Sequence, residues 1–201
     1  MASIGAIILA AGMSRRMGFP KLLADFNGKP LFRYAVETAV QSALQPIVLV
    51  GGERVNALRQ LTCDLPMVQV IDNPEYSKGM ASSLKLGIAK VTGRVDGAMI
   101  FLADQPLVPG EVISELIKQY KSARNQGIQI IRPNYNGMLG HPVLFDSRLF
   151  KAFHQINGDE GGRSIVSNHN DKLLIVNFKN PYWGADVDTP EDLVKLKNIR
   201  P

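Results

Sequence analysis

AIILAAGMSRRMGFPKLL, residues 6–23, starts as a buried strand and changes character within a few positions. Ile4 to Leu9 is an unbroken apolar run, the pattern of a strand covered on both faces, and such strands belong to parallel sheets wrapped by helices. Directly behind it come Gly12, Ser14, Arg15, Arg16, Gly18 and Lys21. Three cations within seven positions, beside small residues that admit close backbone approach, suit a polyphosphate; the plainer alternative is a solvated basic loop. The spacing matches neither standard nucleotide loop: Gly18 is followed by Phe19 rather than Lys-Ser/Thr, and no Gly-x-Gly-x-x-Gly occurs here.

Outward from this stretch the strand signal repeats. Ile47 to Val50, Met67 to Ile71 and Ala98 to Leu102 complete a set of four apolar runs. Helices are predicted between them over Leu31–Leu44, Glu53–Leu61 and Met80–Val91, and after the fourth over Glu111–Arg124, where Val112, Leu116 and Tyr120 form one stripe. Repeated βαβ units call for a mostly parallel sheet with right-handed crossovers and helices on both faces, a three-layer α/β/α architecture. Beyond residue 125 the rhythm breaks: Ile128–Ile131 and then PNYNGMLGHPVLF, with Asn136-Gly137 as a turn, predict an antiparallel element in the C-terminal third. A short helix over Arg148–His154, a strand over Leu173–Phe178 and a last helix from Pro190 follow.

Composition narrows the class. The 201 residues, 45 % hydrophobic and 20 % charged, read as one globular domain over residues 1–201, without repeats or linkers. The net charge of +5 is dispersed, with no Lys/Arg block or aromatic-basic face, so nucleic acid is not an expected partner. No apolar run approaches the roughly 18 residues of a membrane span, so no membrane association is expected. The single cysteine, Cys63, lies between Leu61 and Leu65 and is expected to be a buried structural thiol; one cysteine and no leader pattern suggest a cytoplasmic protein.

In a doubly wound sheet ligands bind beyond the carboxyl ends of the strands, which gathers the residue 10–21 loop, DNPEYSKGMASS, ADQP and GADVDTPED at one edge. Asp104 follows a buried strand directly, where a carboxylate must meet a cation or cap a turn before Pro106. Asp186 and Asp188, two apart, point the same way in an extended segment, although Asp188 could equally be the N-cap of the helix that begins TPED. Carboxylates at strand ends beside a cationic loop form the donor set of a Mg²⁺-nucleotide site.

The stretch LAAGMSRRMGFPKLL resembles the signature of the MobA-like nucleotidyltransferases, L-A-[AG]-G-x-x-x-R-M-G-x-x-K. GMASSLKLGI, ADQPLV, GHPVLF, GDEGGR and DVDTPEDL continue the resemblance along nearly the whole chain, in the order of the molybdenum cofactor cytidylyltransferase branch. The guanylyltransferase branch typically has L-A-G-G at Leu9-Ala10-Ala11-Gly12 and Asn at positions 186 and 188. The resemblance implies a Rossmann-type fold like that of nucleotide-diphospho-sugar transferases, with Gly12, Arg16 and Lys21 on the triphosphate. It implies further that Leu9, Ala10, Ala11, Gly79 and Ser83 help bind the nucleotide. Asp104 and Asp188 would hold Mg²⁺, with Asp186 assisting, and His141 and Arg163 would line the acceptor side. Lys21, Arg16 and Asp104 are the residues implied to be catalytic.

The implied reaction is attack of the terminal phosphate of a molybdenum-pterin cofactor on the α-phosphorus of CTP, releasing pyrophosphate, with a molybdenum hydroxylase as a transient recipient. The nucleophile is already an anion, so positioning and charge neutralisation suffice, and no strong general base is needed. Two rivals remain at this point: the same chemistry with GTP or a sugar phosphate, and a carrier that binds the molybdenum cofactor without chemistry. His154 and His169 are expected to be surface residues.

Overall fold

The computed structural model describes residues 2–12 and 16–199. Ser14 and Arg15, two of the expected cradle residues, lie outside them. The apolar runs form β1 (Ile4–Ala10), β4 (Ile47–Gly51), β5 (Val68–Asp72) and β6 (Gly97–Leu102). Between them stand the two-residue strands β2 (Asp25–Phe26) and β3 (Lys29–Pro30) and the helices α1 (Phe32–Gln41), α2 (Val55–Gln60) and α3 (Met80–Val91). The chain continues through α4 (Gly110–Ala123), β7 (Ile130–Tyr135), β8 (Met138–Leu139), β9 (Val143–Asp146), α5 (Arg163–Asn168), β10 (Leu173–Phe178) and α6 (Pro190–Lys197).

The main sheet runs β10-β7-β9-β6-β1-β4-β5, with β8 paired to β7. β1 is parallel to β4 and β6, β4 to β5, and β7 to β10; β9 is antiparallel to both β6 and β7. The antiparallel element is therefore a strand inserted between two parallel halves, as well as a hairpin at the Asn136-Gly137 turn. Its reversed direction matters for the site: β9 begins, rather than ends, at the edge where the parallel strands finish. Gly140, His141 and Pro142 are thereby delivered to the ligand edge.

Strand side chains alternate between two cores, as a period of two requires. Ile4, Ala6 and Ile8 join Met99, Phe101 and the buried faces of α1 and α4 on one side, whereas Ile7, Val48, Ala98 and Ile100 meet α3 and the 3₁₀ helix Ser147–His154 on the other. This is the three-layer arrangement expected from the sequence. No described helix is long and apolar enough to cross a membrane.

Two expectations need correction. Residues 67–71 were expected to be a strand buried on both faces, but β5 is the outer strand of the sheet and buries only Ile71 well, with Met67 before it 47 % exposed. Cys63 is exposed, not buried. Helix α2 ends at Gln60, and in the turn beyond it Thr62 takes the inward position, its hydroxyl donating to the Leu58 carbonyl at 2.8 Å.

Candidate active site

The loops after β1 and β6 are brought together by the sheet register. Leu9 pairs with Leu102, and the Ala103 amide donates to the Leu9 carbonyl at 3.2 Å, which sets Asp104 beside the end of β1. A third segment is docked on them by the Val187 amide, which donates to the Asp104 carbonyl at 3.0 Å while the Val187 side chain enters the core. With Val187 facing inward, its two neighbours face the other way. Asp186 and Asp188 accordingly flank Asp104 from the same side, as their spacing predicts.

Lys21 Nζ lies between two of these carboxylates, donating to Asp104 Oδ2 at 2.7 Å and Asp188 Oδ1 at 3.0 Å. Arg16, largely exposed, reaches the other Asp188 oxygen at 2.9 Å. Burial works against the Lys21 ammonium, but Asp104 and Asp188 outweigh it and raise its pKa. Burial likewise opposes ionisation of Asp188, and Lys21 and Arg16 overcome it to hold that carboxyl below its ordinary range. Asp186 differs: enclosing walls and the Asp104 charge push it up to about 6, although Gln105 Nε2 donates to it at 2.9 Å. The group is thus short of positive charge.

The helix-cap alternative for Asp188 does not hold. Thr189 is the N-cap of α6, in a reciprocal capping box with Asp192, and it is the Asp188 amide that donates to Asp192. Freed from capping, the Asp188 carboxylate is committed to Lys21 and Arg16. Among the described residues no set of three His, Cys, Asp or Glu side chains is gathered tightly enough to hold a metal ion. A hard divalent ion needs only one or two protein carboxylates when phosphate oxygens and water complete its shell, and Asp104 and Asp188, with Asp186 adjacent, are of the donor type that could hold one.

Two cavities adjoin this cluster. The smaller, about 300 Å³, is walled by Ala10, Ala11, Gly12, Gly18, Arg54 and Tyr76. The larger, about 420 Å³, has an apolar body that includes Leu9, Ile100 and Phe145, and it carries Arg132, His141 and Arg163, with Gln105 and Asp186 also on its wall. Its floor depends on two close approaches: a Cβ at Gly140 or Gly184 would come within 2.6 and 2.4 Å of the Tyr135 ring. The Tyr135 hydroxyl donates to the His141 carbonyl at 2.8 Å and fixes the start of β9.

The expected nucleotide residues are therefore divided. Ala10, Ala11 and Gly12 share the smaller cavity, and Leu9 faces the larger one. Gly79 and Ser83 line neither. Gly79, at φ +102°, packs against Gly158, and the buried Ser83 hydroxyl accepts from Asn73 Nδ2 at 2.9 Å. His141 and Arg163 do meet in one cavity, and burial together with Arg132 and Arg163 lowers the His141 pKa to about 4, leaving a neutral imidazole. His154 is exposed, and His169 is half-buried with Nδ1 2.9 Å from the Ile165 carbonyl oxygen.

The sequence reading missed Tyr76, Arg54, Arg132 and Gln105. Gln105 could have been found, since it stands inside ADQP and its Oε1 is buried without a partner among the described residues. Arg132 sits in a strand, where an isolated cation looks like any solvent-facing residue.

This sheet, with its ligand edge, is the fold of the nucleotidyltransferases. A solved structure described as a nucleotidyl transferase from Methanothermobacter thermautotroptrophicus superposes with a TM-score of 0.81 over 98 % of this chain and 96 % of its own, at 18 % identity. The crystal structure of Rv0371c from Mycobacterium tuberculosis H37Rv matches with a TM-score of 0.82 at 27 % identity, over 99 % and 100 % of the two chains. Residues 6–173 match the MobA-like NTP transferase domain, and the chain belongs to that family of nucleotidyltransferases. In sequence it is 29 % identical to the molybdenum cofactor cytidylyltransferase of Escherichia coli K12, over 98 % of this chain and 97 % of that one. It is also 26 % identical to nicotine blue oxidoreductase of Paenarthrobacter nicotinovorans, over 96 % of each.

Proposed function

We propose that the protein transfers CMP from CTP to the terminal phosphate of a molybdenum-pterin cofactor, forming a cytosine dinucleotide and releasing pyrophosphate. The observation that carries this reading is the Lys21 ammonium held between Asp104 and Asp188, with Pro20 and Leu22 beside it on the wall of the smaller cavity and Gln105 and Asp186 on the wall of the larger. CTP would occupy the smaller one, its base against Ala10 and Ala11 and its triphosphate along Gly12, Arg16 and Lys21. The acceptor would lie in the larger one, against Arg163 and His141. Residues 1–201 would act as one cytoplasmic domain, and a molybdenum hydroxylase would be the eventual recipient of the product.

Chemistry in this reading is substitution at the α-phosphorus. An acceptor phosphate oxygen forms the new P–O bond, the bond to the β-phosphate oxygen breaks, and pyrophosphate leaves with that electron pair. Lys21 and Arg16 offset charge that accumulates on the phosphates, in a setting where fixed donors act without reorganising. Asp104 and Asp188, with Asp186 beside them, would hold Mg²⁺, which supplies further charge neutralisation when bound. Lys21 has a second duty before substrates arrive: it keeps two carboxylates together that would otherwise repel.

Pyrophosphate release tests the proposal, measured with Mg²⁺ and CTP, GTP, ATP or UTP, each with and without the molybdenum-pterin cofactor. Release that needs the cofactor and is fastest with CTP is expected. Fastest release with GTP would overturn the role given to Ala10 and Ala11 while keeping the mechanism. Tight cofactor binding without release from any nucleotide would overturn transfer in favour of carriage.

A further inference from the structure

The larger cavity contains, beside Arg163, a second cation to which no role has yet been given. Arg132, on β7, lines it and is half-buried; Arg163, at the start of α5, lines the same cavity and is exposed. Burial and then the Arg163 charge lower the Arg132 pKa, and both guanidinium groups depress His141. Like charges that face one cavity repel each other unless something negative lies between them. Among the described residues neither arginine has a carboxylate partner within salt-bridge distance, although ten other cations do.

Of the three acids that also line the cavity none pairs with either arginine among the described residues, and Asp186 accepts from Gln105 Nε2. Asp159 Oδ1 accepts the Met80 amide at 3.0 Å, and Glu160 Oε1 accepts the Asn157 amide at 2.8 Å. Among the described residues Arg132 is anchored at one point only, Nε donating to the Gly140 carbonyl at 3.3 Å, and the outer fork of its guanidinium has no partner there. Guanidinium forks match phosphate and carboxylate oxygens two at a time. A neutral His141 beside them adds a polar atom without adding repulsion.

We propose that Arg132 and Arg163 form an oxyanion clamp for the acceptor, with Arg132 a binding residue that fixes the acceptor in the larger cavity by a phosphate-like group. This rests on the reading of that cavity as the acceptor side. The oxyanion could instead be supplied by the triphosphate of the nucleotide, and the tests separate the two sources.

The first test needs no nucleotide and no turnover. Arginine Nε–H resonances of the full-length ¹⁵N-labelled protein, assigned with R132Q and R163Q, are followed during titration with inorganic phosphate. Saturable shifts of both resonances are expected, and the Arg132 response should weaken about tenfold in R163Q, the size expected for losing a charge-assisted hydrogen bond. An Arg132 resonance that stays unmoved while other arginines respond would overturn the clamp.

The second test is kinetic. With CTP, Mg²⁺ and the molybdenum-pterin cofactor, R132Q should raise the acceptor KM about tenfold or more and leave the KM for CTP within about twofold. R132K, which keeps the charge but loses the fork, should fall between R132Q and wild type. A rise in the CTP KM alone would assign the oxyanion to the nucleotide and overturn the proposal. Should R132Q fail to fold, R132K and the phosphate titration of the wild-type protein carry the test. If wild type shows no cytidylyl transfer at all, the proposed function fails while the titration still decides the clamp.

Discussion

The molecule has two charged clusters at opposite edges of one sheet, and they are built to different standards. At the amino edge Asp146, fully buried, accepts from the Tyr120 hydroxyl, Arg124 Nε, Arg148 Nε and the Arg148 amide, all between 2.8 and 2.9 Å. Arg124 continues to Asp96, which also accepts the Ser3 amide. At the carboxyl edge Asp104, Asp186 and Asp188 crowd around one ammonium, Arg16 is mostly exposed, and Gln105 Oε1 is buried without a partner. Both clusters pair carboxylates with arginine or lysine, so residue type does not distinguish them. Completeness does: the first has nothing left to bind, whereas the second stays open to cations and phosphate.

The sharpest way to break this contrast is to remove the central cation of the open cluster. Lys21→Ala should lower turnover by about a thousandfold, the upper end of what loss of one preorganised donor costs, with a circular dichroism spectrum close to wild type and an unfolding transition lowered by the repulsion it leaves between Asp104 and Asp188. Asp104→Ala should behave alike. A folded Lys21→Ala variant with near-normal turnover would show that the open cluster is as structural as the closed one.

The closed cluster should give the reverse pattern. Asp146→Asn leaves two arginines facing a neutral amide and is expected to cost about 3 kcal/mol in urea unfolding, with turnover per folded molecule unchanged. Its pH dependence has a definite sign. Burial opposes ionisation of Asp146, but Arg148, Arg124 and Tyr120 hold its folded-state pKa near 2, below the unfolded value of about 3.9. The stabilisation is therefore complete above the unfolded value and is lost as pH falls toward and through 2, so wild type and variant should converge in that window.

How much of this was legible in the sequence follows from which physical signal each feature leaves. β1, α3 and β10 write their own periodicity, and their limits can be read almost to the residue. Asp186 and Asp188 were placed together by the alternation of an extended chain. Three features were not legible, because each depends on what a segment packs against. The insertion of β9 between β6 and β7 is set by non-local pairing; Ser83 looks like a ligand-facing residue until Asn73 closes over it; and Cys63 sits in an apolar context that turns outward. Arg132 belongs with these, since only the cavity makes it conspicuous.

The smallest effect is also the most direct comparison of the two clusters, because it makes the same chemical change in the open one. Asp186 is pushed up to about 6 by partial desolvation of its carboxyl and by Asp104, so at neutral pH, where it is mostly ionised, its charge costs the folded chain more than the unfolded one. Asp186→Asn removes that conflict and keeps a polar group beside Gln105. It should therefore stabilise the protein at pH 7.5, by less than about 1 kcal/mol because the residue is exposed at the cavity and solvent screens its charge. The same variant should lower turnover, since the charge it deletes is part of the donor set offered to Mg²⁺. Differential scanning calorimetry and pyrophosphate release on one preparation check both halves. Opposite signs for Asp186→Asn and Asp146→Asn would establish that the site edge gives up stability for an unsatisfied charge, while equal destabilisation by both would remove the distinction between the clusters.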